Sequence, residues 1–281
     1  MTATFSSPLF PRELAVDIRL DDDPRYKGSI HEDSVARARG YKAALIPGAF
    51  IYGHISRVAL HAWGAGWTVH GGMGAQFRKP VYNGDRLVIR AGALEGDARM
   101  RRAKISAVNE DGEEVAIGWI GMPDGVPSMP DVTAWCVIPR PDTPPAVEAG
   151  GLRRGMPLTT ADQILTEADF QASLSAFGES DPFYREEGVV HSGCLMRLAM
   201  GDTHRSFQFP SPVVLTAVDA QHFAQVKPGQ RLSIVGAVAD AYLRKGKYYV
   251  ESEEFLLADG QLVARFVRTQ IYAYEAKTSG R

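Results

Sequence analysis

Ala75-Gln76-Phe77-Arg78-Lys79-Pro80-Val81-Tyr82-Asn83-Gly84-Asp85-Arg86-Leu87 and Ala220-Gln221-His222-Phe223-Ala224-Gln225-Val226-Lys227-Pro228-Gly229-Gln230-Arg231-Leu232 read as two versions of one phrase. They lie 145 positions apart and agree at six of thirteen aligned residues. An alternating strand pattern follows each, and then a strand pair split by Asp-Gly, at Asp111-Gly112 and at Asp259-Gly260. Asp-Gly between alternating runs is a hairpin signal, because both residues tolerate the backbone angles of a tight turn. A repeat this long means two copies of one small domain and not a short-period solenoid. Function is then expected where the copies meet.

Length and composition fit two copies. The chain has 281 residues, enough for two cores of roughly 130 residues each. Apolar residues make up 45%, as in packed globular proteins. A formal net charge of −2 and the absence of a basic face give no reason to expect nucleic acid. The nearest approach, Arg99-Met100-Arg101-Arg102, reads as a solvated hairpin turn, with a phosphate contact as the other reading. Two cysteines, Cys136 and Cys194, make neither a disulfide framework nor a zinc site. Asp21-Asp22-Asp23 lacks the alternate spacing of a calcium loop, so no metal is expected. Without a leader-like amino terminus or an eighteen-residue apolar run, the chain reads as soluble and cytoplasmic, with no membrane partner.

Between Pro123 and Pro157 the texture changes, with eight prolines and the pair Gly150-Gly151. Proline fixes its own backbone angle and removes a donor, so this stretch reads as an extended linker. The expected division is therefore a first unit over 1–122, a linker over 123–157 and a second unit over 158–281. In the first unit an opening strand is expected over Leu14–Leu20. A helix is expected over Pro47–Trp63, where Phe50, Ile51, Ile55, Val58, Ala59, Ala62 and Trp63 recur at three- and four-residue spacing. Gly64 and Gly66 should stop it, with strands to follow over 68–81, 86–94, 101–109 and 114–121. In the second unit Thr166 and Asp169 suit the start of a helix running to Phe177. A shorter helix is expected over Ser192–Met200, then strands over 212–225, 230–241, 247–257 and 262–274. Each unit is thus a helical part followed by an antiparallel meander, an α+β arrangement in which a sheet curls around a central helix.

That order, with Ile30-His31-Glu32-Asp33, Gly40-Tyr41 and Leu45-Ile46-Pro47-Gly48 in the first copy, resembles the hotdog-fold acyl-thioester enzymes, specifically the MaoC-like R-specific enoyl-CoA hydratases and dehydratases. In the second copy the resemblance is carried by Phe177-Gly178-Glu179-Ser180-Asp181-Pro182-Phe183-Tyr184 and Val189-Val190-His191-Ser192-Gly193. It implies a double hotdog, two tandem units with their sheets side by side and both central helices on the concave face. It also implies a tunnel for an acyl chain and its pantetheine arm, no cofactor, and further association into a homo-oligomer. The family's motif is Asp-x-Asn-Pro-x-His, and neither copy keeps both the acid and the imidazole. The second copy reads Glu179-x-Asp181-Pro182-x-Tyr184. The first keeps His31 with Tyr26 five residues before it, or aligns Asp21-x-Asp23-Pro24-x-Tyr26.

Several residues are candidates on this basis. His31 titrates near neutrality and can move a proton, although His31 and Asp33 could instead cap a short helix around Ala36. Pro47-Gly48 and Ser192-Gly193 precede the two central helices, where first-turn amides can hold a thioester carbonyl or simply make a tight turn. Glu179 and Tyr184, with Tyr26, are candidate proton-handling groups, and Asp181 reads as a turn residue or a substrate contact. His191 reads as a packed neighbour or a substrate contact. His54 is expected to be a satisfied core histidine, and Trp63, Trp67 and Trp135 packing residues. By resemblance the expected activity is reversible hydration or dehydration of an acyl thioester, on CoA or on a carrier protein. Thioester hydrolysis and non-catalytic acyl-CoA binding are the alternatives.

Overall fold

A computed structural model describes residues 10, 12–20, 23–97 and 100–275. Asp21, Asp22, Arg99 and the first nine residues, on which readings above partly rest, lie outside that set. Ten strands form one sheet: β1 (Arg12–Asp17), β2 (Gly72–Phe77), β3 (Arg86–Asp97), β4 (Met100–Asn109), β5 (Glu114–Pro123), β6 (Gln163–Ile164), β7 (Val214–His222), β8 (Arg231–Arg244), β9 (Lys247–Ala258) and β10 (Gln261–Tyr274). Their order across the sheet is β1-β3-β4-β5-β2-β7-β10-β9-β8-β6, and every described pairing is antiparallel. The halves of that order match, so the duplication read from sequence is a duplication of topology. The chain is a double hotdog.

The register of the central pair carries the repeat further. Gly74 lies opposite Asp219, its own counterpart 145 positions on. A residue can face its counterpart only where a two-fold axis passes between them, so the pseudo-symmetry axis of the molecule crosses the sheet at this point. β3 and β8 also begin at repeat-related residues, Arg86 and Arg231.

Six helices accompany the sheet: α1 (Asp33–Ala38), α2 (Gly48–Trp63), α3 (Ala65–His70), α4 (Glu167–Ala176), α5 (Pro182–Glu187) and α6 (Ser192–His204). Helices α2 and α6 are the central pair. Twelve of the sixteen residues of α2 are buried, because it packs on α6 and lies over the strands of its own half.

The structure departs from the sequence expectations in four places. The segment expected to begin a strand at 68 is helical: Gly64, at φ 62°, ends α2 and caps α3, which drives Trp67 into the core. Asp181-Pro182 is not a plain turn, since the Asp181 side chain caps α5 by accepting from the Phe183 amide and Pro182 occupies its first turn. Helix α6 runs a turn beyond Met200. His31 and Asp33 do not cap α1, whose cap residue is Glu32 with no side-chain cap bond. The Asp33 carboxylate instead accepts from the Ala44 amide, and the backbone amide donor holds it below the usual carboxylate range.

Residues 124–162 hold no helix or strand, yet they do not dangle. Val132 and Trp135 pack on Val235, Phe255, Leu257 and Leu262, and the Trp135 ring lies 5.7 Å from that of Phe255. Arg140 pairs with Asp202 of α6, whose other carboxylate oxygen accepts from Thr160. The stretch is a strap bound to the second half.

Candidate functional site

Two adjoining cavities, about 410 and 550 Å³, meet at a neck formed by Ile30, His31, Pro47, Met200, His204 and Val213. The loop before α1 supplies His31, the start of α2 supplies Pro47 and Gly48, and α6 of the other half supplies Arg197, Met200, Gly201 and His204. Those four α6 residues fall at spacings of three, four and seven, one face of a helix. The site is thus built across the seam.

His31 is held firmly. Its Nδ1–H donates to the Leu45 carbonyl at 2.7 Å, which fixes the tautomer and turns Nε2 into the acceptor of the ring. The Tyr26 ring sits edge-on at 5.3 Å, and its hydroxyl accepts from Arg197 at 3.2 Å. Arg197 also pairs with Asp23 at 3.1 Å and lies over the Phe50 ring. Opposite, His204 meets the Gln270 amide through Nε2 at 2.6 Å. Burial first, then Arg268 and His31, push it down to about 3, so it is neutral at physiological pH. Gly48 lines the smaller cavity at the first turn of α2. Its cap residue is Pro47, which offers no side-chain acceptor, so the Gly48 amide has no side-chain cap, while the Phe50 amide donates to the Pro47 carbonyl at 2.9 Å.

The equivalent place in the second half is filled. His191 caps α6, its Nδ1 accepting from the Gly193 amide at 3.0 Å, so the donor corresponding to Gly48 is already used. The ring of Phe177 stacks on His191 at 4.5 Å and crosses Gly53 and Gly193 so closely that a Cβ on either would come within 2.6 Å of it. Glu179 accepts from the Ser180 and Asp181 amides at 2.8 Å each, and its other oxygen faces His191 Nε2 at 3.4 Å and Arg57 at 3.5 Å. Burial alone would raise the Glu179 carboxyl, but His191, the Asp181 amide and Arg57 outweigh it and hold the group at about 2. Burial keeps His191 neutral against the pull of Glu179. Tyr184 is buried beside them, and burial followed by the charge of Glu179 pushes its hydroxyl well up. Glu179, Tyr184, His191 and Gly193 line none of the five described cavities.

The repeat makes the contrast residue by residue. Pro47, Phe77 and Arg197 line the open cavities, and their counterparts 145 positions away are Ser192, His222 and Tyr52. Those three form a closed chain: Tyr52 lies 3.4 Å from Ser192 Oγ, which donates to His222 Nε2 at 2.8 Å, while His222 Nδ1–H donates to the Gly71 carbonyl at 2.9 Å. Trp67 packs edge-on against His222 at 4.8 Å. Of the eight residues singled out from sequence, Tyr26, His31 and Gly48 gather at the open cavities. Glu179, Tyr184, His191 and Gly193 gather in a sealed core, and Asp181 contacts His61 at 3.3 Å at its edge. His54 is buried as expected, but its Nδ1 has no hydrogen-bond partner. Sequence reasoning missed Arg197 and His204. Their helical spacing was the available signal, and ending the helix at Met200 hid it.

Among the described residues no three His, Cys, Asp or Glu side chains group to hold a metal, and no helix is long and apolar enough to cross a membrane. No family model matches the chain, and no curated protein matches it. Solved structures do. One described as a MaoC domain protein dehydratase from Chloroflexus aurantiacus aligns at TM-score 0.62 and 14% identity, over 95% of this chain and 96% of that one. A conserved Mycobacterium tuberculosis protein described as having a double hotdog fold aligns at 0.58 and 13%, over 92% and 96%. One described as an oleoyl thioesterase from Lactobacillus plantarum aligns at 0.51 and 12%, over 95% and 98%. With the topology described above, these likenesses identify the chain as a double-hotdog protein of the architecture seen in MaoC-like dehydratase structures.

Proposed function

We propose that this protein is an acyl-thioester hydratase or dehydratase that works at the open cavities of the first half. The observation that carries the reading is the difference between the two central helices: Gly48, whose amide has no side-chain cap, lines a cavity beside His31, whereas the Gly193 amide is consumed by His191. The resemblance to dehydratase structures points the same way.

In the hydration direction, His31 Nε2 takes a proton from water and the hydroxide adds to C3 of a 2-enoyl thioester. The C2=C3 pair shifts toward the thioester carbonyl, whose oxygen gains charge and is held by the Gly48 amide. The imidazolium then returns its proton to C2, completing the 3-hydroxyacyl thioester and restoring the neutral ring. Tyr26, fixed by Arg197, orients the water. Dehydration is the same path reversed.

A hydrolase reading would turn to the Ser192–His222 pair, but both residues are buried and line neither cavity. The test compares crotonyl-CoA hydration, followed by loss of enoyl absorbance, with thiol release measured colorimetrically. His31→Ala should lower kcat at least a hundredfold with little thiol released by either protein. Unchanged turnover in His31→Ala, or thiol release as the main product, rejects the assignment.

A further inference from the structure

The two cavities that meet at His31 share a sign of charge. Their lining includes Arg78, Lys79 and Lys247 in the smaller and Lys27, Arg197 and Arg205 in the larger, and not one Asp or Glu. Acids make up 33 of the chain's 281 residues, so an unbiased lining of this size would hold about four. Each of the other described cavities is lined by at least one acid: Glu13 and Glu114 in one, Asp23 and Asp169 in another, Asp85, Asp111 and neighbouring glutamates in the third. The bias therefore belongs to this site and not to the surface as a whole, whose formal net charge is −2.

Three of the six cations are already neutralised. Arg78 pairs with Glu114, Lys79 with Glu113 and Arg197 with Asp23. Lys247 remains in the smaller cavity, and Lys27 and Arg205 in the larger. None of these three has an acidic partner within 4.0 Å among the described residues. A thioester on a phosphate-bearing carrier explains one cationic cavity. It leaves the other unexplained.

The unpaired cations tell the arms apart. The smaller cavity has apolar wall from Ile46, Ile51, Phe77, Val81 and Leu215 and the single unpaired cation Lys247. The larger also has apolar wall, from Met200, Phe209, Pro212 and Val213, but carries two unpaired cations, Lys27 and Arg205. Two cations suit the several charges of a carrier's phosphates, and one suits a single carboxylate. We infer that the acyl group of the substrate itself ends in a carboxylate, which Lys247 receives in the smaller cavity, while Lys27 and Arg205 in the larger receive the phosphates of the carrier. This inference rests on the thioester reading above.

The test uses the full chain and two saturated ligands that hydration chemistry cannot consume. Adipyl-CoA and hexanoyl-CoA both carry six-carbon acyl groups and differ in a terminal carboxylate against a terminal methyl. By calorimetry at low salt, adipyl-CoA should bind about tenfold more tightly, with the gap narrowing as salt is added. Lys247→Gln should abolish the gap and leave hexanoyl-CoA affinity unchanged. Lys27→Gln and Arg205→Gln should weaken both ligands equally. Equal binding of the two ligands by the unmodified protein, or a preference that survives Lys247→Gln, overturns the inference and leaves the thioester reading standing. Binding of neither ligand rejects both together.

Discussion

Gly48 and Gly193 hold the same place in the repeat, but a methyl group added to each meets different neighbours. At Gly193 the new Cβ would lie 2.6 Å from the Phe177 ring and 2.9 Å from the Gly53 Cα, distances that require movement in a packed core. At Gly48 it would meet the ends of Leu215 and Phe77 at 3.1 Å, beside open space. Gly193→Ala should therefore cost about 1–3 kcal/mol of stability in urea titration and leave turnover within about twofold. Shrinking the obstacle with Phe177→Leu alongside it should recover part of the loss. Gly48→Ala should do the reverse, lowering kcat while stability falls by less than that of Gly193→Ala, because it crowds the thioester carbonyl. If Gly193→Ala instead lowered turnover more than Gly48→Ala, the working half would be the second one. Sequence could name both glycines but not choose between them, because the choice is made by Phe177, a ring 16 positions away in the chain from Gly193.

At the scale of elements, the two central helices show how one ancestral device came to be used in two ways. Helix α6 begins with its first-turn donor satisfied by His191, and that imidazole is in turn backed by Glu179. Replacing His191 by Ala removes the cap and one of the partners that hold Glu179 ionised in the core, leaving Arg57 and the Ser180 and Asp181 amides. The expected cost is about 1–3 kcal/mol in chemical denaturation, with kcat retained to within about threefold. His31→Ala should show the opposite pattern, since His31, bonded to the Leu45 carbonyl, stands at a cavity wall and not in the packed core. A His191→Ala protein that is stable but inactive would refute this division of labour. Part of it was legible in the chain. Pro47 has no side chain that can cap, and the residue before Ser192 is a histidine that can, so the two helix starts already differed in chemistry. What could not be read was the helix over Ala65–His70, whose last three residues overlap the expected strand, because a six-residue helix between glycines gives too short a period to distinguish, although Trp67 is the packing residue expected.

For the whole molecule, the strands and the duplication were legible because both are local patterns, alternation and turn chemistry repeated at a fixed offset. The continuous sheet follows from them once Gly74 faces Asp219 across the axis. The contents of the seam were not legible, since burial there is decided by both halves at once, and three histidines end up inside it or beside it without compensating acids at hydrogen-bond distance. Burial is the first cause of depression in each: His54 falls to about 3, with Arg57 and His191 adding to the effect, His204 to about 3, with Arg268 adding, and His222 to about 4, opposed by the Gly71 carbonyl. Each is neutral in the folded state over a range where the unfolded chain, with the ordinary value of 6.5, takes up a proton. Above about pH 7.5 both states are neutral and the groups have no pH-dependent effect on stability. Below it the unfolded state binds more protons, so stability falls with pH until the folded values near 4 and 3 are reached. Each group contributes up to about 1.4 kcal/mol per pH unit, and three together about 4. Glu179 has the opposite partner chemistry but adds in the same direction at lower pH: held at about 2 against 4.5, it stabilises above 4.5 and loses that contribution between 4.5 and 2. Urea titrations at pH 7.5, 6.5, 5.5 and 5.0 should therefore lose about 1 kcal/mol between the first two and steepen after that. His222→Phe copies the residue found at the repeat-related position, Phe77, and should reduce the acid slope by about one proton. A stability that stays level from pH 7.5 to 5.0 would mean that the His54 and His222 rings reach solvent and that the core around His191 and Ser192 is not sealed.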